Sequence, residues 1–280
     1  MQMKISLITP CRNAASLLRD TLASVAGQSA MGSAGVAVEH LVMDGASSDG
    51  TQEVVSGFSH AQLFSSPDRG MYDALAKGLG RASGDVIGYL NAGDILHPRA
   101  FEVLAEVFSS PGVDWATGFS ALVNDKLQVI AAWKPPRYRR EFIVNGTYLA
   151  GHPVPGIMQE ATFWSGRINA QLDLEKLAGF RLAGDYHLWI QLAGRVPLHS
   201  IESLIGFFRV HAGQLSEDRT AYRNEIEPFL RAPNFREKLT AHWEFRCNPV
   251  LRGPLFKFVL PASPARIFRY ETREGGWVPR

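Results

Sequence analysis

Val38-Glu39-His40-Leu41-Val42-Met43 runs directly into Asp44-Gly45-Ala46-Ser47-Ser48-Asp49-Gly50-Thr51. The first six residues read as a buried strand, and the Gly/Ser stretch that stops it reads as a turn. A strand that ends at a carboxylate delivers it to the carboxyl edge of a sheet, where open α/β sheets bind ligands. The arrangement recurs where Val86-Ile87-Gly88-Tyr89-Leu90 ends in Asn91-Ala92-Gly93-Asp94. Two strands bringing acids to one edge suggest a site for a nucleotide and its metal ion.

Outward from these two stretches, residues 4–94 alternate between strand and helix patterns. A strand at 4–9 precedes Leu17, Leu18, Leu22 and Val25 at helical spacing. A short helix is expected at 51–58, a strand at 62–65 and a helix at 71–82. Pro98 is placed just inside a helix over 98–109, as first-turn prolines are. Repeated βα units predict a Rossmann-like, mainly parallel α/β sheet flanked by helices.

The pattern changes after 112. Residues 115–123 and 127–133 flank Asn124-Asp125-Lys126 as an antiparallel hairpin would. A basic, proline-containing loop with Lys134, Arg137, Arg139 and Arg140 follows, then a Gly/Pro segment at 151–156. A short strand at 161–164, a helix from near Asp185 and a strand at 198–209 come next. From 217 the chain reads as helical until prolines at 249, 254, 261 and 264 interrupt it. The expected division is a domain at 1–216, in halves 1–110 and 111–216, and a helical, basic extension at 217–280.

The 280 residues suffice for a sizeable core. A net charge of +2 gives no global reason to expect nucleic acid as a partner. Cys11 and Cys247 offer neither metal-ligand spacing nor a disulfide framework, and read as reduced thiols of a cytoplasmic protein. The opening residues enter a strand pattern without a signal-peptide core, and no apolar run approaches bilayer-spanning length.

Four stretches could carry chemistry. Thr9-Pro10-Cys11-Arg12-Asn13 follows the first strand, with polar groups for a base or phosphate and a fixed cation in Arg12. It has no Gly-rich fingerprint, which disfavours a dinucleotide site. Asp44 either faces a ligand or closes an Asx turn on its own backbone, whereas Asp49 reads as part of a helix cap. Asp68 precedes a helix near the sheet edge, while Asp73 and Lys77 are spaced as an exposed i,i+4 pair. Asp94 suits a hard cation such as Mg²⁺ or Mn²⁺, because a diphosphate and water supply most of the oxygens such an ion needs.

TPCRNA at 9–14, VMDGASSDGT at 42–51, PDRGMYDALAKGL at 67–79, YLNAGD at 89–94, QEATFW at 159–164 and GDYHLWIQLA at 184–193 occur in one order. Together they resemble the family-2 inverting glycosyltransferases with the A-type nucleotide-sugar fold, the bacterial surface-polysaccharide enzymes above all. The resemblance spans about residues 3–216. It implies that Thr9, Arg12, Asp44, Asp68 and Asn91 line a nucleotide pocket and that Asp94 is the metal ligand, with His211 as a second. It implies Asp185 as catalytic base, and Gln159, Glu160 and Trp164 facing the acceptor, although Trp164 also reads as core. The sequence departs from a strict DxD at Asn91-Ala92-Gly93-Asp94, and Gly184-Asp185 supplies one acid where family members often carry two. A helix N-terminus would keep Asp185 ionised through the helix dipole.

The implied reaction is transfer of a sugar from a nucleoside diphosphate sugar, UDP-linked, to a hydroxyl of a glycan or lipid-linked acceptor. Its competitors are a nucleotidyltransferase, which should show a Gly-rich phosphate loop, and a non-catalytic nucleotide-sugar-binding protein. Residues 231–280 hold ten Lys and Arg against four Asp and Glu. Trp243, Phe245, Phe256, Phe258, Phe268 and Trp277 lie among them. Such a segment suits an anionic membrane surface at the inner face of the plasma membrane. Alternatively, it is an arm packed on the catalytic domain or on a second copy in a homodimer.

Overall fold

The computed structural model describes residues 2–29, 35–149, 156–211, 214, 217–246 and 263–280. The Gly/Pro segment at 151–155, Cys247, Phe256 and Phe258 lie outside them. Eleven strands among the described residues form one mixed sheet: β1 Met3–Cys11, β2 Val36–Asp44, β3 Ala61–Ser65, β4 Val86–Tyr89, β5 Ile95–Leu96, β6 Trp115–Val123, β7 Val129–Trp133, β8 Thr162–Ser165, β9 His199–Arg209, β10 Ile267–Glu271 and β11 Gly276–Pro279.

The amino-terminal half builds the parallel part, in the order β3-β2-β1-β4. The chain moves outward from β1 to β2 and β3, then returns to place β4 on the other side of β1. That reversal opens a crevice at the carboxyl ends of β1 and β4. β8 runs antiparallel between β4 and β6, and β6 pairs in parallel with β9. The hairpin expected at 115–133 is β6–β7, paired Ser120 to Trp133.

Side chains alternate across the sheet and pack on both of its faces. One face packs Ile5, Leu7, Phe101, Leu104 and Phe163. The other buries Trp115, Trp164 and Trp189, with Trp115 and Trp189 stacked at 5.9 Å between ring centroids. In the helix Ala15–Ala26, Leu18, Leu22 and Val25 are buried as their spacing predicts, while Leu17 turns toward the crevice. The helix expected from Pro98 begins at Ala100, so Pro98 lies ahead of its first turn.

The carboxy-terminal segment corrects the expectation of a helical extension. After the helices Arg219–Ile226 and Phe235–Arg246, the chain returns to the sheet. β10 pairs in parallel with β9 and β11 pairs antiparallel with β10. Phe268 is fully buried, and Phe245 packs on Phe142 and Tyr148. Several basic residues are neutralised locally: Arg231 by Glu237, Arg269 by Glu202 and Arg280 by Glu271.

Candidate active site

The crevice at the β1/β4 reversal opens into a cleft of about 560 Å³, within the size range of small-molecule sites. Its floor is two short loops. The first follows β1, where Asn13 adopts a left-handed φ of 48°, a conformation Asn tolerates better than most residues. Asn13 N–H donates to Ser47 Oγ at 2.7 Å, and Ser48 N–H donates to Asn13 Oδ1 at 3.0 Å. Arg12 thereby projects from a loop clipped to the exit of β2.

The second loop is Asn91–Asp94, closed by a 3.0 Å bond from Asp94 N–H to Asn91 O. Gly93 sits at a φ of 108°, which a side chain would strain. Buried Thr21 fixes the turn by accepting from Gly93 N–H and donating to Asp94 O, both at 2.8 Å. β5 then pairs with β9, Ile95 opposite Phe207, which brings Arg209 beside Asp94. Arg209 N–H donates to Asp94 Oδ1 at 3.0 Å, and Gln159 Nε2 donates to Asp94 Oδ2 at 2.6 Å.

Asp94 and the neighbouring Glu160 are buried acids with no ion pair among the described residues. Burial raises the Asp94 carboxyl well above its usual range, and repulsion from Glu160 adds to this. Burial lifts Glu160 to about 7, although Ser120 donates to it. Asn91 Oδ1 and Gln159 Oε1 are buried with no hydrogen-bond partner among the described residues. A carboxylate with two idle amide oxygens is a donor set suited to a hard divalent cation. His211 lines the same cleft. Among the described residues no group of three or more His, Cys, Asp or Glu side chains is arranged to hold a metal, so the fit rests on oxygen ligands.

Asp185, in the first turn of the helix Gly184–Ala193, also lines the cleft. Leu188, Trp189 and Leu192 anchor that helix in the core. Asp185 Oδ1 accepts from Tyr222 Oη at 2.8 Å and from Tyr186 N–H at 2.7 Å. Burial raises its carboxyl to about 6, against the pull of Tyr222, the Tyr186 amide and Tyr72. Desolvation outweighs the hydrogen bonds, yet a carboxyl near 6 is still mostly ionised at neutral pH. Gly184 has a steric reason to be glycine, since a Cβ there would sit 2.5 Å from the Tyr72 ring.

Arg12, Asp68, Asn91, Asp94, Gln159, Asp185 and His211 all line this one cleft. Asp68 approaches so closely over Gly45 that a Cβ at Gly45 would collide with its carboxylate. The cleft lining does not include Thr9, Asp44, Glu160 or Trp164. Thr9 is buried, with Oγ1 2.8 Å from His40 Nε2. Asp44 lies one strand beyond the reversal, accepting from Ser65 Oγ at 2.6 Å and from the Ser47 hydroxyl and amide. It closes the turn, the alternative weighed above. Glu160 lies behind Asp94, and Trp164 is core, donating from Nε1 to Asn169 Oδ1 at 3.2 Å.

Asp49 accepts from Thr51 N–H at 3.1 Å and Ala15 N–H at 3.0 Å, serving two helix starts. Asp73 pairs with Lys77 as the spacing suggests and also with Arg69, but its carboxylate is buried where an exposed pair was expected. Tyr222, Tyr72 and Tyr89 line the cleft without having been singled out from the sequence, and Arg209 lines it as well. Buried Arg209 donates to Asp20 at 2.6 Å, while its Nε has no partner among the described residues.

The chain belongs to glycosyl transferase family 2, whose family model matches residues 6–158. Uncharacterized glycosyltransferase Rv1514c of Mycobacterium tuberculosis is 34% identical over 128 residues, 43% of this chain and 47% of that protein. This chain therefore spans about half the length of the curated relatives it matches. Among solved structures, S. aureus TarS 1-349 in complex with UDP-GlcNAc is similar at a TM-score of 0.59 and 14% identity, over 87% of this chain and 73% of that one. The mannosyltransferase PcManGT from Pyrobaculum calidifontis, in complex with GDP-Man and Mn2+, gives 0.58 and 18%, over 87% and 69%. Glucosyl-3-phosphoglycerate synthase from Mycobacterium tuberculosis, with Mn2+, UDP and glucosyl-3-phosphoglycerate, gives 0.55 and 17%, over 83% and 82%. These likenesses establish a shared fold, a mixed α/β sheet flanked by helices.

Proposed function

We propose that the protein transfers a sugar, with inversion, from a nucleoside diphosphate sugar to a hydroxyl of a glycan or lipid-linked acceptor in polysaccharide biosynthesis. The observation that carries the reading is one cleft lined by the Asp185 carboxylate, by the Asn91–Asp94 loop and by Arg209. Arg12 and Asp68 hold the nucleotide beside the β1 exit. Asp94, with Asn91, Gln159 and His211, would hold a Mg²⁺ or Mn²⁺ ion. When bound, that ion neutralises charge on the departing diphosphate.

The acceptor hydroxyl oxygen forms the new bond to the anomeric carbon while the bond from that carbon to the diphosphate oxygen breaks. Asp185 takes the hydroxyl proton, and its ordinary unshifted acidity would make it a weaker base than a carboxyl near 6. Arg209 and Arg12 offset the charge left on the diphosphate. UDP is the nucleotide favoured, because two of the similar structures carry uridine nucleotides in their descriptions. Docking on an anionic membrane surface remains part of this reading through residues 231–280, as does pairing with a second copy.

Release of free nucleoside diphosphate from a panel of sugar nucleotides, with and without Mn²⁺, tests the reading. Release dependent on both Mn²⁺ and an added glycan acceptor is the expected result. Tight nucleotide-sugar binding with no release from any donor would favour a binding protein. Release of pyrophosphate from nucleoside triphosphate plus sugar phosphate would favour a nucleotidyltransferase.

A further inference from the structure

The loop that carries Asp185 is held by a helix from a distant part of the chain. Glu225, in the helix Arg219–Ile226, accepts from three consecutive amides: Arg181 N–H at 2.7 Å, Leu182 N–H at 2.8 Å and Ala183 N–H at 2.7 Å. These are the residues immediately before the helix that begins at Gly184. Three residues earlier, on the same face, Tyr222 donates to Asp185 itself at 2.8 Å. From the other side, Tyr72 Oη donates to Leu182 O at 2.9 Å. The Leu182 residue is therefore gripped through both its N–H and its C=O. Asp218 caps the holding helix by accepting from Ala221 N–H at 2.9 Å.

We propose that this helix is the positioning element of the site, with Tyr222 orienting the Asp185 carboxylate and Glu225 fixing the backbone that presents it. The proposal rests on the reading of Asp185 as the base. A carboxylate bound to three amides is a strong anchor, since charge-assisted hydrogen bonds are roughly twice as strong as neutral ones. A phenol donating to Oδ1 fixes the carboxyl rotamer and leaves the second oxygen for the acceptor. Neither residue transfers a proton or touches the anomeric carbon. They keep the base at its station before substrate arrives, which is where positioning gains its effect.

The groups that face Asp185 are Tyr72, Tyr89, Tyr222, Tyr186 and, more distantly, Glu225. Burial raises the four phenols above 10, so each remains a donor throughout the working range. Removing the Tyr222 hydroxyl withdraws one bond from the charged form of Asp185 and leaves the neutral form untouched. The carboxyl then loses its proton at higher pH. A role confined to stability would lower activity at every pH alike.

The test compares the parent, Tyr222→Phe, Glu225→Gln and Asp185→Asn, measuring kcat and donor KM from pH 5 to 9 by UDP release. The acid limb of Tyr222→Phe should move up by about one pH unit, giving about fivefold lower kcat at pH 6 and near-parental kcat at pH 8.5. Donor KM should stay within about twofold. Glu225→Gln should lower kcat about tenfold with KM likewise unmoved. Independently of turnover, the carbon-13 carboxyl resonance missing from Asp185→Asn should titrate about one unit higher in Tyr222→Phe. A Tyr222→Phe profile and titration that superimpose on the parent, with Asp185→Asn inactive, overturn the positioning role alone. Substantial turnover by Asp185→Asn overturns the base reading and this proposal with it.

Discussion

Arg209 N–H donates to Asp94 Oδ1 at 3.0 Å across 115 positions of sequence. The bond exists because β5, two residues long, pairs antiparallel with the far end of β9. The same residue sends its guanidinium to Asp20. One residue thus serves two ends: its backbone steadies the candidate metal ligand, and its side chain supplies charge to the cleft.

That division can be tested by substitution. Arg209→Ala removes the guanidinium but keeps the N–H that holds Asp94. UDP binding, measured by calorimetry, should weaken about 10- to 100-fold, the range of a charged hydrogen bond. The ratio of affinities with and without Mn²⁺ should stay near the parental value. A collapse of that ratio would show that the side chain, too, supports the metal site.

Asp94→Ala should do the opposite. It deletes the carboxylate that Gln159 and the Arg209 amide hold in place, and leaves two amide oxygens too weak to retain a divalent ion alone. Mn²⁺ should no longer strengthen UDP binding, nor raise the melting temperature in the presence of UDP. Persistence of the full Mn²⁺ effect would place the ion elsewhere, with His211 the next candidate to substitute.

What the sequence made legible follows from where each signal originates. Asn91 and Asp185 were assigned through the family resemblance, whereas β2 and β4 end abruptly in turn residues, so local pattern placed Asp94 at the sheet edge. Arg12 was legible for the same reason. Thr9, Asp44 and Glu160 fall outside the cleft lining, because a residue near a sheet edge can point into the cleft or into the protein and local pattern does not fix which. Tyr222 was invisible as a site residue because a contact more than thirty positions away in sequence brings it there. β10 and β11 left a usable trace in Arg273-Glu274-Gly275-Gly276, with Gly275 at a φ of 67°, since a Gly-Gly pair between aromatic runs is a hairpin signal. The run of prolines ahead of it drew the reading toward irregular chain.

Those late strands change how the basic carboxy-terminal segment should be probed. Phe268 is fully buried against the core face that also holds Ile201 and Ile205. Phe268→Ala should cost about 3–5 kcal/mol of stability, measured by urea unfolding. A cost below about 1 kcal/mol would show that β10 is dispensable. A truncation that removes 263–280 to test liposome flotation would strip the edge from β9 and confound the result. Substituting exposed basic residues one at a time avoids this.

The last prediction concerns the pH dependence that Asp185 imposes on folding. Its carboxyl lies near 6 in the folded protein because burial disfavours the charge, against about 3.9 in an unfolded chain. The folded state therefore holds the proton more tightly than the unfolded state between those values. Stability from this group is complete below about pH 4, declines as pH rises toward 6, and stays lost above it. Asparagine stays neutral at every pH. Asp185→Asn should thus match the parent in unfolding free energy at pH 4 and exceed it by about 3 kcal/mol at pH 8. The same variant loses the proton acceptor, so the more stable protein should be the inactive one. Equal stability of the two proteins at pH 8 would mean that Asp185 is as well solvated folded as unfolded, and that its carboxyl is not raised.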